Sequence, residues 1–232
     1  WEKAFASLPL LTRLTSDEKN RLQELAILFL HQKVFEGAQG FVVTQSMTLI
    51  IALQACLPVL NLGLGYYSGW LSVIIYPSGF VTKRTIADEN GVVHYEQSSL
   101  SGESWQRGPV ILSWVDTEFA GIIDGSNLVI HEFAHKLDMQ NGVANGFPPL
   151  HRNMESTEWV NAFSAGFESF QQQWSHGRSV GIDCYAASSP AEFFAVLSEM
   201  FFECPEIIQQ YYADIYNLLC QYYRQDPLVR LN

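Results

Sequence analysis

The stretch Leu128-Val129-Ile130-His131-Glu132-Phe133-Ala134-His135-Lys136-Leu137-Asp138 decides how this chain is read. Asp124-Gly125-Ser126-Asn127 before it offers N-cap side chains, and Asn141-Gly142 after it is a stop signal, so a helix is expected over about 128–139. Leu128, Val129, Ile130, Phe133, Ala134 and Leu137 form a buried stripe, and the remaining face must open onto something polar. Residues four apart share a helix face, so the imidazoles of His131 and His135 converge at the short distances that Zn²⁺ demands. Glu132 is turned about 100° from His131. That sets its carboxylate beside such a metal rather than on it, where it can accept a proton from a water whose pKa the metal lowers towards about 7. Random placement of the 6 histidines and the glutamates of this chain gives on the order of 0.01 His-Glu-x-x-His matches, so two ordinary surface histidines are the weaker explanation.

Zinc of this kind needs a third protein ligand, with water in the fourth position. One class takes a third His six residues after the second, with a Gly three residues after it. Asn141 and Asp138 occupy those positions here, which excludes that class. A glutamate from a second helix remains, and Glu155, Glu158, Glu168, Glu192, Glu199 and Glu203 are the candidates. Glu192 lies in Pro190-Ala191-Glu192-Phe193-Phe194-Ala195-Val196-Leu197, among apolar neighbours that oblige a carboxylate to be paired or to bind metal. Yet Ser189-Pro190-Ala191-Glu192 also fits a capping box, in which Glu192 folds back onto the amide of Ser189, and helix rules alone leave the two equal. Glu199, one heptad on, suits a carboxylate that orients a ligand histidine, or a satisfied buried acid. Asp138 suits the same orienting role, or a surface acid at the helix end.

Outward from this core the chain reads as mixed. Thr15 to Glu18 has capping-box spacing and precedes Leu22, Leu25, Ala26, Phe29 and Leu30 at helical spacing, predicting a helix over about 16–33. Further helices are expected over about 45–60, 155–175, 190–204 and 206–224. Strands are expected at Trp70 to Pro77, Val92 to Gln97 and Val110 to Val115, with a polar Ser/Gly-rich loop over 98–104. The expectation is one compact α+β domain over 1–232, helical over 1–65, with the sheet and the metal-binding helices in 66–232.

Composition narrows the function. The chain has 232 residues, 48% hydrophobic, and a formal net charge of −11. Such an acidic protein repels a phosphate backbone, so no direct nucleic-acid binding is expected, and cations or peptide amino termini are favoured. The cluster Asp116, Glu118, Asp124, Glu132 and Asp138 against Lys136 suggests an acidic rim. The apolar run Met47 to Leu64 is interrupted by Gln54, Pro58 and Asn61 and reads as a buried helix, not a membrane span. Cys56, Cys184, Cys204 and Cys220 are far apart and read as reduced core thiols. The chain starts Trp1-Glu2-Lys3, which reads as trimmed, and its opening lacks a signal-peptide pattern, so a cytoplasmic location is expected. His31, His94, His151 and His176 have no motif context.

The segment His131 to Asp138 with Asn141-Gly142, the segment Asp183-Cys184-Tyr185-Ala186-Ala187, and Pro190 to Glu199 together resemble the Mlc titration factor A peptidases. The resemblance continues through Cys56 to Leu60, Ile75-Tyr76-Pro77, Gly102 to Pro109 and Gln225-Asp226-Pro227, covering nearly the whole chain. It matches least over about 153–180. It implies a zincin-like fold of the gluzincin type, one Zn²⁺ per chain held by His131, His135 and Glu192, and Glu132 as catalytic base. It further implies that Tyr185 donates a hydrogen bond to the transition state, that the substrate is a peptide cleaved in aminopeptidase-like fashion, and that the partner is the Mlc transcriptional repressor, through which glucose uptake is controlled. The rival it carries is a non-catalytic or weakly catalytic, metal-stabilised protein that sequesters that repressor.

Overall fold

The computed structural model describes residues 1–87, 93–100, 102–104, 108–178 and 181–231, with the backbone alone over 80–87, 93–100 and 102–104 and at position 119. The chain begins with α1 (Glu2–Ala6) and α2 (Ser16–Gln32), the latter held at its start by a complete capping box between Thr15 and Glu18. Strand β1 (Val34–Gly37) and helix α3 (Gln45–Cys56) follow. Next come β2 (Ser72–Tyr76), β3 (Phe80–Ala87), β4 (Val93–Leu100), β5 (Gly102–Ser104) and β6 (Val110–Ser113). The rest is helical: α4 (Trp114–Phe119), α5 (Leu128–Asp138), α6 (Ser156–Ser175), α7 (Pro190–Glu203), α8 (Pro205–Tyr211) and α9 (Ala213–Tyr223).

The main sheet runs β1-β2-β6-β5, with β1, β2 and β6 parallel and β5 antiparallel on the far edge, while β3 and β4 form a separate hairpin. Val73 and Ile75 of β2 and the whole of β6 are buried, as expected of parallel strands covered by helices. Helix α5 packs on α7 and also touches α3, β5 and β6, so the signature helix lies between the sheet and the C-terminal helices. An apolar core runs from Ala4 through Phe29, Phe133 and Phe194 to Tyr223. The architecture is α+β and zincin-like.

Several boundaries differ from the sequence reading. Within the Ser/Gly-rich stretch expected as a loop, residues 98–100 and 102–104 are strand: Leu100 pairs with Phe80, and Gly102 to Ser104 pair with Leu112 to Val110. Ladder bonds are made by the backbone, so polar composition does not prevent them. Strand β1 gives no alternating signal, and it forms because β2 offers a parallel partner from Val34↔Ser72 to Gly37↔Ile75. Helix α3 stops at Cys56, and β6 gives way to α4 at Trp114. The last helix breaks at Tyr212 (φ −142°, ψ 55°), whose buried ring meets Phe193 edge-on at 6.0 Å. Val92 lies outside the described residues. Among the cysteines, all free, Cys56 is buried but Cys184 is exposed, so the latter is not a core thiol. Among the described residues no helix is long and apolar enough to cross a membrane.

Candidate metal centre

Helix α5 starts where Asn127 turns its side chain onto the amide of Ile130 at 3.0 Å. Its apolar stripe is buried from Val129 to Leu137, with Leu128 partly so, but its polar face is buried too: Glu132 is 4% exposed and Asp138 0%. The helix is covered by α7, and the turn Cys184–Ala187 packs on α7 in its turn. The rim is therefore limited to Asp116, Glu118 and Asp124, because Glu132 and Asp138 lie inside the protein.

Three side chains meet at one point. His131 Nε2 lies 3.0 Å from Glu192 Oε2, His135 Nε2 lies 3.1 Å from the same oxygen, and the two ring nitrogens are 3.2 Å apart. Tetrahedral zinc at about 2.0–2.1 Å from each ligand holds neighbouring donors about 3.3 Å apart, so this triangle is close to one face of such a polyhedron. Two imidazoles and one carboxylate are also a donor set suited to a borderline divalent ion. The residues therefore fit a bound metal.

Glu192 resolves the ambiguity of its sequence context. The amide of Glu192 donates to Ser189 Oγ at 3.2 Å, which is half of a capping box, but the Glu192 carboxylate turns towards the histidines instead of back to Ser189. Burial raises its pKa, and the hydrogen bonds and charges of His131 and His135 outweigh this and hold it well below the usual carboxylate range. Of the other candidates, Glu155, Glu158 and Glu168 are exposed at or on α6, away from this point.

Glu199 stands behind the triangle, its Oε1 2.7 Å from His131 Nδ1. With a metal ion on Nε2, that contact would keep the remaining imidazole proton on Nδ1, the tautomer a metal requires. The other Glu199 oxygen accepts the backbone N–H of Asn127. Burial raises the Glu199 carboxyl, opposed by the charge and hydrogen bond of His131 and by the Asn127 amide. Asp138 is not a surface acid: it is fully buried, within reach of the charge of His135, and its Oδ2 accepts the amides of Asn145 and Gly146 at 2.8 and 2.7 Å and so ties down the loop after the helix. Gly146, at φ +78°, is needed there, since a Cβ would stand 2.5 Å from the carbonyl of Pro190 at the start of α7. Lys136 points away from the triangle and donates to the carbonyl of Gly108 at 2.8 Å. Burial lowers its ammonium pKa to about 8 against the opposing charge of Glu132.

Tyr185 lies on the turn Cys184–Ala187, half exposed, its ring centroid 6.1 Å from that of His131. The Asp183 carboxylate fixes this turn by accepting the Tyr185 amide at 2.8 Å. His151 is a packing residue that meets Tyr66 Oη and the carbonyl of Tyr222, and exposed His176 closes α6 onto the carbonyl of Gln172. Residues missed as parts of the centre are Gln54, Asn127 beyond its capping role, and Glu203 as a partner of Asn127. The legible signal was the i, i+7, i+11 series Glu192, Glu199, Glu203 on an otherwise apolar helix.

An HExxH helix crossed by a second helix that supplies a glutamate beside both histidines defines a zincin-like metallopeptidase centre. The model of the family described as glucose-regulated metallo-peptidase M90 matches residues 1–224. Proteins named Mlc titration factor A, from Escherichia coli (strain 55989 / EAEC), Shigella flexneri serotype 5b (strain 8401) and Escherichia coli O9:H4 (strain HS), are each 42% identical over 234 residues, which cover 100% of this chain and 88% of theirs. The chain belongs to this M90 family of metallo-peptidases.

Proposed function

We propose that this protein is a zinc-dependent peptidase with aminopeptidase-like specificity, in which His131, His135 and Glu192 hold the metal. The observation that carries the reading is the convergence of His131 Nε2, His135 Nε2 and Glu192 Oε2 within 3.0–3.2 Å of one another. Zinc bound there supplies a Lewis acid and lowers the pKa of a water towards about 7. Glu132, buried between the two histidines in sequence, takes the proton from the attacking water and returns it to the leaving amine. Glu199 keeps the His131 proton on Nδ1 throughout. Tyr185, beside His131 and open to solvent, donates its phenolic hydrogen to the oxyanion that develops on the scissile carbonyl. The net charge of −11 favours substrates that present a free amino terminus.

Metal content and hydrolysis of chromogenic amino-acid and peptide substrates test this directly. Glu132→Gln should keep about one zinc per chain and lose nearly all hydrolysis, while Tyr185→Phe should keep the zinc and KM and lose about 10²-fold in kcat. Full activity in Glu132→Gln would refute the mechanism, and wild-type kcat in Tyr185→Phe would return that residue to packing. The relatives' name favours a second role, capture in the cytoplasm of an Mlc-like repressor and thereby control of glucose uptake. A purified repressor that fails to co-elute with the protein would remove that role and leave the peptidase reading intact.

A further inference from the structure

Behind the metal centre lies a buried polar network whose members beyond Glu199 have no part in the mechanism above. Asn127 stands at its hub, fully buried, with every polar group engaged. Its Oδ1 accepts the Ile130 amide at 3.0 Å and so caps α5. Its backbone N–H reaches Glu199 Oε2. Its Nδ2 donates both to Gln54 Oε1 at 2.8 Å and to Glu203 Oε1 at 3.0 Å. Glu203 Oε2 in turn accepts the Gly125 amide at 3.0 Å, and Gly125 sits at φ +88° where a Cβ would meet Met200 Sδ at 2.5 Å.

A cap needs only an acceptor, and Ser, Thr or Asp serves as well as Asn. The amide nitrogen is the part a cap does not use, and here it is held by two acceptors from α3 and from the last turn of α7. Holding that side chain fixes the main chain at 127, whose N–H is aimed at one oxygen of Glu199 while the other oxygen takes His131 Nδ1. Once both oxygens are engaged, the Glu199 carboxylate cannot rotate without breaking a buried bond, which is costly in a low-dielectric interior.

We propose that Asn127, braced by Gln54 and Glu203, is a positioning residue for the metal centre: it locks the Glu199 carboxylate, which holds His131 in the metal-binding tautomer. The inference rests on the metal reading above. It makes Gln54, on a helix that carries none of the three converging donors, part of what sets metal affinity.

The test uses the full chain and zinc alone, with affinity measured by chelator competition and the His131 tautomer read by ¹⁵N NMR. Asn127→Ser retains the cap acceptor and the backbone N–H but loses the amide donor. Zinc affinity should fall about 10-fold, and the His131 Nδ1–H resonance of the metal-free protein should broaden or shift. Glu199→Gln should weaken zinc 10- to 100-fold. Since Asn127 acts through Glu199, the double variant should bind zinc no more weakly than Glu199→Gln alone. A merely structural Asn127 predicts a lower melting temperature with unchanged zinc affinity and tautomer, or losses that add in the double variant, and either result overturns the proposal. Should Asn127→Ser fail to fold, Gln54→Leu, which leaves the cap and the Glu203 bond in place, carries the test: a loss of several-fold in zinc affinity supports the proposal and wild-type affinity overturns it. A wild-type chain that binds no zinc would instead sink the metal reading itself.

Discussion

Helices α2 and α7 begin with the same grammar and end in different chemistry. Thr15-x-x-Glu18 and Ser189-x-x-Glu192 both place a hydroxyl at the cap and a carboxylate three residues on. At α2 both halves of the box close, with Glu18 Oε2 accepting the Thr15 amide at 2.9 Å and its Oε1 pairing with Arg230 at 2.6 Å. At α7 only the hydroxyl half closes, and Glu192 leaves the backbone for two imidazoles. The difference lies in what faces the helix start. Solvent and a single guanidinium face Glu18, whereas two histidines on a buried neighbouring helix face Glu192. A carboxylate at the third position goes to the stronger donor within reach, and the local motif only fixes where it starts.

The largest effect that could break the comparison is on metal binding. Glu192→Gln keeps the amide that bonds Ser189 Oγ but removes the anionic donor, so zinc affinity should fall by about 10³-fold, roughly 4 kcal/mol, and added zinc should no longer raise the melting temperature. If zinc affinity survived and the metal-free melt dropped instead, Glu192 would be a capping residue like Glu18. His131→Ala or His135→Ala should match Glu192→Gln, since two remaining donors hold zinc poorly.

How much of this was legible follows from which interactions are local. The α5 helix, its cap at Asn127 and the start of α2 were readable because cap, stripe and stop signal all fall within one run of residues. The pair His131 and His135 was readable for the same reason. Glu192 was narrowed to one of two fates and no further, because the deciding partners come from a helix 57 to 61 residues away. The second bonds of Asn127, to Gln54 at a separation of 73 and to Glu203 at 76, leave no mark in its neighbourhood. Strand β1 was missed likewise, being short and recruited by a partner remote in sequence, whereas β5 was missed because its three residues are polar or Gly and carry no apolar alternation.

The opposite end of α7 sharpens the comparison through pH. Glu203, fully buried, has its carboxyl raised by burial to about 7 from an ordinary 4.5, the Asn127 and Gly125 hydrogen bonds opposing and the charges of Asp124 and Glu199 adding. An elevated carboxyl pKa means that the unfolded chain ionises first. Stability from this group is therefore intact below about pH 4.5, falls as pH rises, and is lost once pH passes about 7, in all on the order of 3 kcal/mol. Urea unfolding of metal-free protein at pH 5 and pH 8 should show wild type losing more stability than Glu203→Gln over that interval. Parallel losses in the two proteins would mean that Glu203 ionises normally.

Glu18 supplies the smallest and oppositely signed effect. Burial raises its carboxyl pKa, but the Thr15 amide, the Arg230 guanidinium and the Thr15 hydroxyl together bring it below the ordinary 4.5. A lowered carboxyl contributes stability that is present above pH 4.5 and disappears as pH falls through the folded value. Glu18→Gln weakens the capping box and removes the ion pair, a side-chain contact still partly open to water, so the loss at pH 7 should be about 1 kcal/mol and no more. The loss should shrink as pH falls below 4.5 and through the folded value, beneath which wild type and variant are both neutral at this position. Zinc affinity and kcat should stay at wild-type values, because Glu18 is bonded to Thr15 and Arg230 and to none of the converging side chains. A Glu18→Gln variant with weakened zinc binding would show that the two helix starts are coupled through the core, and the contrast between a capping carboxylate and a metal-facing one would then fail.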